Sequence, residues 1–178
     1  MTGPITSYWE LLKPEFERIN IYEGLEKFSA SCDAVWRPIV LLYSTHMCAS
    51  EVHNGGFLQL FWNNTGIAVP DAIEGYKVIG MPNLATLVAK TARLLGPDYP
   101  LDRDERWDAL LVASGCNSEE LEAIFQKYDN LYQCFAHATE SLNFDSLDRQ
   151  SWQLAAEESG GYDVAATSYA QSVSRIIG

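Results

Sequence analysis

Apolar positions recur every three or four residues along most of the chain, the spacing of helices that bury one face. Trp9, Leu12, Phe16 and Ile19 mark a helix over residues 6–19, with Pro14 inside it as a kink or a division. A short helix is expected near 21–29. From Ala34 to about His53 two adjacent stripes run side by side: Val35, Ile39, Leu42 and Trp36, Val40, Tyr43, Met47. So broad an apolar face predicts a largely buried central helix. A helix over 70–79 ends at Gly80, and the next opens at Pro82 and stops at Gly96-Pro97, as helix ends favour. Further helices are expected near 103–114, 117–142, 145–158 and 162–177, the third-last capped by Asn117 with Glu120 three residues on. No repeat and no strand alternation interrupts the pattern. The expectation is an all-α chain of roughly eight or nine helices, folded as a single compact domain over residues 1–178. Residues 97–102 are the candidate lobe boundary.

One stretch departs from the pattern. In "EVHNGGFLQLFWNNTG", residues 51–66, Asn54-Gly55-Gly56 stands between two apolar runs. Asn-Gly would signal a hairpin between alternating strands, but a helical stripe already runs upstream. A phosphate cradle would need more glycines and usually a lysine. A helix corner explains the residues best, with Asn54 or Gly55 in the left-handed conformation. Phe57, Leu60, Phe61 and Asn64 then line a second short helix, closed by Asn63, Asn64 and Gly66. The side-chain amides of Asn54, Gln59, Asn63 and Asn64 are the expected partners for backbone groups left over at the corner.

The segment "NGGFLQLFWNNTG", followed by a proline-led helix, "VIG" and a helix ending in Leu-Gly, resembles a bacterial family long described only as a domain of unknown function, which includes acidic DNA-mimic proteins. The resemblance covers about residues 43 to 97 and is carried by Asn54, Gly55, Gly56, Phe57, Gln59, Asn63 and Gly66. It implies an all-helical fold and, for some members, binding to a DNA-binding transcription regulator in place of DNA.

Charge sharpens the picture. The formal net charge is −12, and it is uneven: residues 1–97 hold nine acids and seven bases, residues 98–178 fifteen acids and five bases. Such a surface repels nucleic acid and anionic membranes and attracts basic proteins. Direct nucleic-acid binding and membrane association are therefore not expected. The first residues lack the basic start and apolar run of a signal peptide, and the longest apolar run, "IVLLY", is too short to span a bilayer. The four cysteines are scattered and read as reduced thiols. A cytoplasmic location follows as the expectation.

On a continuous helix over 117–142, Glu119, Glu122, Asp129 and Glu140 fall within about 80° of one another, opposite Ile124, Tyr128, Leu131, Phe135 and Leu142. Glu119 and Glu140 would lie about 31 Å apart along it, close to one turn of B-DNA. Glu157 and Glu158, and the acids between Asp98 and Asp108, extend the surface if the fold brings them alongside. Against this stand few catalytic signals. His46 and His53 share a helix face with Ser50, whereas Glu51 points elsewhere, and two histidines make a poor zinc site. "DYPLDRDERWDA" lacks the glycine and terminal glutamate of a calcium loop.

The reading is a non-catalytic acidic interaction protein without a cofactor. It would mimic DNA and occupy the DNA-binding surface of a transcription regulator or another basic DNA-binding protein, and a homodimer is compatible with it. Two alternatives stay open: an immunity-type protein that neutralises a basic toxin, and an enzyme whose site is assembled in space near Glu51 and His53.

Overall fold

The computed structural model describes residues 5–177. Among them are ten α-helices, four short 3-10 segments and no strand. The helices are α1 (Trp9–Phe16), α2 (Leu25–Asp33), α3 (Arg37–Trp62), α4 (Val69–Val78), α5 (Pro82–Ala92), α6 (Arg103–Ser114), α7 (Ser118–Lys127), α8 (Leu131–Ala138), α9 (Phe144–Glu157) and α10 (Tyr162–Ile177). The fold is all-α, as the periodicity predicts. None of these helices is long and apolar enough to cross a membrane.

The axis of the molecule is α3. Its first half buries Ile39, Val40, Leu42 and Tyr43 against α1, α2 and α10. Its second half buries Val52, Phe57, Leu60 and Phe61 among α4, α5 and α9. It packs tightly on α4: a methyl at Gly75 would stand 2.6 Å from Thr45 Cγ2 and 2.7 Å from the Leu41 carbonyl. Residues 97–102 touch both cores, Tyr99 packing in the one and Leu101 in the other.

One expected helix is two. The chain leaves helical geometry at Tyr128 (φ −123°, ψ 130°), and Asn130 then caps α8 by accepting from the Gln133 amide at 3.2 Å. Asp and Asn are poor helix-interior residues because their side chains compete for backbone groups, and Asp129-Asn130 stop the helix although the apolar spacing continues. The chain turns back so that α8 packs on α7. The extra helix raises the count to ten. At the start of α7 the capping box of Asn117 and Glu120 is present.

Candidate interaction surface and the helix break

The corner at Asn54-Gly55-Gly56 lies inside α3. Gly56, not Asn54 or Gly55, is the residue with positive φ (77°), at ψ −174°, a backbone region open almost only to glycine. Three side-chain hydrogen bonds bridge the break. Glu51, before it, accepts from Gln59 Nε2 at 2.7 Å, Asn63 Nδ2 at 2.9 Å and Thr65 Oγ1 at 2.8 Å, all after it. The amides of Gln59 and Asn63 thus hold a carboxylate, not backbone groups, because Glu51 offers a charged acceptor that strengthens the bond. The Asn64 amide does meet backbone, donating to the Tyr22 carbonyl at 3.0 Å. Asn54 is exposed.

The broken helix needs new ends, and both come from the C-terminal half. Asp148 of α9 accepts from the Phe57 amide at 2.8 Å, capping the half-helix that begins there. Only 8% of Asp148 is exposed, and its burial raises its pKa above the ordinary aspartate range, against the lowering effect of that amide. At the other end Arg106 of α6 is fully buried. Its guanidinium donates to Phe61 O at 3.1 Å, Asn63 O at 2.8 Å and Leu101 O at 2.7 Å. Gly66 gives it room, since a methyl there would lie 2.7 Å from Arg106 Nε. Beside it the Trp107 indole donates to Trp62 O at 3.1 Å, and the two indoles stack at 4.1 Å between centroids. An acid therefore meets the positive end of Phe57–Trp62 and a base its negative end, the favourable arrangement for the helix dipole. The sequence carries no local signal for either contact, as Asp148 and Arg106 lie 91 and 45 residues from their partners.

The expected acidic stripe is dispersed. Glu119 and Glu122 are exposed on α7, Asp129 is exposed in the break after it, and Glu140 is exposed in the 3-10 segment Glu140–Leu142. With no continuous helix, the alignment along one turn of B-DNA does not exist. Glu140 instead meets Asp145 and Asp148 around a cleft of about 480 Å³ beside Gly55, with Tyr132 as one wall and no basic residue in its lining. Glu157 is exposed. Glu158 is spent internally: its two oxygens accept from the Asn83 and Leu84 amides, each at 2.9 Å, and so cap α5.

From residue 98 onward only Asp148 among the carboxylates is buried and only Glu158 half-buried. In the same span the described ion pairs are Arg103–Asp104 at 3.5 Å and His137–Glu140 at 3.9 Å, the second only when the imidazole is protonated. Most of these acids therefore face solvent without a counter-charge. The one base withdrawn from the surface is Arg106.

No group of three or more His, Cys, Asp or Glu side chains among the described residues could hold a metal ion. Glu51 is held by its three donors, Gln59, Asn63 and Thr65. The four cysteines are free, and burial pushes the Cys48 thiol up to about 12 and the Cys32 thiol up to about 11, far from thiolate reactivity.

Residues 37–166 match the model of the family described as DMP19-like protein. The chain belongs to that family. The matched span runs from the start of α3 into α10, so it covers α7, α8 and α9 as well as the helix break of this chain. The positions of Arg106 and Asp148 also fall within that span. No curated protein and no solved structure matches the chain.

Proposed function

We propose that the protein is a non-catalytic acidic interaction module that occupies the DNA-binding surface of a basic, DNA-binding protein, a transcription regulator among them. The observation that carries this reading is the exposed, largely unpaired set of carboxylates after residue 98, with Arg106 buried away from it. Membership of the DMP19-like family is consistent with a DNA-mimic type of protein. A field of unpaired carboxylates speeds encounter with a basic surface and repels the phosphate backbone.

The test uses the partner recovered from native cells by pull-down. A quadruple variant, Glu119→Gln, Glu122→Gln, Asp129→Asn and Glu140→Gln, removes charge from exposed positions at little cost to the fold. Affinity is expected to fall about tenfold or more at low salt, with a smaller difference at high salt, where charge steering is screened beyond roughly 8 Å. DNA of the partner should compete. Unchanged affinity at both salt levels would remove these residues from the mechanism. A partner that binds equally well with its DNA in place would overturn mimicry and leave a plain acidic module, the class to which an immunity protein belongs.

A further inference from the structure

A second cleft, of about 780 Å³, opens on another part of the molecule. It lies where α3, α4, α5, α9 and α10 meet the start of α1. Its walls are the rings of Tyr8, Tyr76, Trp152 and Tyr162 with Val52 and Leu84. The rings are held in place by bonds at their polar ends. Tyr162 Oη is bonded to Thr45 Oγ1 at 3.1 Å, Tyr76 Oη donates to Thr45 O at 3.2 Å, and the Trp152 indole N–H donates to Val52 O at 3.0 Å. These aromatic surfaces are thus fixed in orientation with their polar atoms already satisfied. Such a cavity has the size and lining of a small-molecule site.

Its remaining polar groups are few and unspent. His46 bonds Tyr8 Oη through Nδ1 at 3.0 Å, while its Nε2 has no partner among the described residues. Ser151 lines the cleft at 5% exposure, and its hydroxyl likewise has none. The Ser151 hydroxyl is therefore free to bond a molecule that enters the cleft. Asp163 supplies an exposed carboxylate that takes no described ion pair. No lysine or arginine lines the cleft, and His53, the second imidazole, is exposed.

We infer that this cleft binds a planar aromatic amine. The ring packs between the aromatic walls, a hydrogen-bonding group on it meets Ser151 Oγ and His46 Nε2, and the ammonium group is held by Asp163 and by the ring faces. Anionic ligands, nucleotides and fatty acids included, are disfavoured by Asp163 and by the absence of any cation in the lining. None of the exposed acids altered in the charge variant lines it, so the two readings are tested separately.

The experiment compares tryptamine, indole and indole-3-acetate, which share one ring and differ in charge, by calorimetry and by amide NMR of the labelled full chain. Tryptamine is expected to bind saturably, roughly threefold tighter than indole, the scale of one exposed charge pair. Indole-3-acetate should bind at least about tenfold weaker than tryptamine. Shifts should centre on Ser50, Ser151, Trp152 and Asp163. Ala49→Phe, which fills the cleft, should abolish binding, and Asp163→Asn, at an exposed position, should abolish the advantage of tryptamine over indole. Absence of saturable binding by millimolar tryptamine, shifts located elsewhere, or equal binding of the acetate would overturn the proposal. If Ala49→Phe does not fold, the Asp163→Asn comparison decides alone.

Discussion

Gly55 and Gly56 are neighbours with different tasks. Gly56 occupies a backbone region that costs any other residue about 1–3 kcal/mol, and a methyl on it would also strike the Asp148 carboxylate. Gly55 has no such backbone demand; a methyl there would strike the end of the Gln59 side chain, which can move if it releases Glu51. Gly56→Ala should therefore lower stability by more than about 2 kcal/mol in urea unfolding, and Gly55→Ala by about half as much. The reverse order would show that the corner is set by Gly55. The cap on the broken helix has its own signature. Asp148→Ala should cost about 1 kcal/mol, whereas Asp148→Asn keeps an acceptor for the Phe57 amide and should cost less. Because burial raises the Asp148 pKa, its contribution is fully present below the unfolded value near 4 and is lost as pH rises through the folded one. Wild-type stability should decline across that window by an amount that Asp148→Asn removes. The corner is legible in the sequence because two adjacent glycines weaken a helix at the point where its apolar stripe is still running. Asp148 is not, since one acid among fifteen in its half of the chain carries no mark of being the buried one.

Among the elements, the join between α3 and α6 is the decisive contact. A buried guanidinium bonded to backbone carbonyls exchanges a large desolvation cost for strong, charge-assisted bonds, and burial lowers the Arg106 pKa accordingly. Arg106→Met keeps much of the volume but leaves those carbonyls without donors, so a loss of about 3–5 kcal/mol is expected by thermal or urea unfolding. Arg106→Lys should recover only part of it, because one ammonium cannot span donors arranged as a planar fork. A loss under about 1 kcal/mol would mean that water replaces the guanidinium freely. Helix existence follows from the apolar spacing at almost every element. The exception is instructive: between Ile124 and Phe135 the spacing persists across a break, because α7 and α8 fold back on each other. Periodicity reports which face is apolar, and it does not report whether the backbone is continuous; Asp129-Asn130 is the signal that it is not.

At the scale of the whole molecule the charge acts twice, with opposite signs. A net −12 with few internal ion pairs repels itself, so added salt should stabilise the fold. Raising ionic strength from low to physiological should lift Tm by about 1–2 °C, equivalent to roughly 0.5 kcal/mol for a chain of this size, and the quadruple charge variant should respond less. The same salt should weaken partner binding. A calorimetric scan beside a binding titration separates the two effects, and a Tm that falls with salt would show that attraction, not repulsion, dominates the surface. The total charge and its bias to the C-terminal half are plain in the sequence, but its layout is not, because that depends on which helices end and where they turn. One element shows what this layout permits. None of the ten residues of α7 is buried, whereas Arg106 and Asp148, on either side of it in the chain, clasp the broken helix deep inside. Neutralising the exposed carboxylates of α7 should therefore leave the clasp, and with it the fold, undisturbed: the two ends of the broken helix are closed from outside α7, so the charge on this helix can be changed without reopening them.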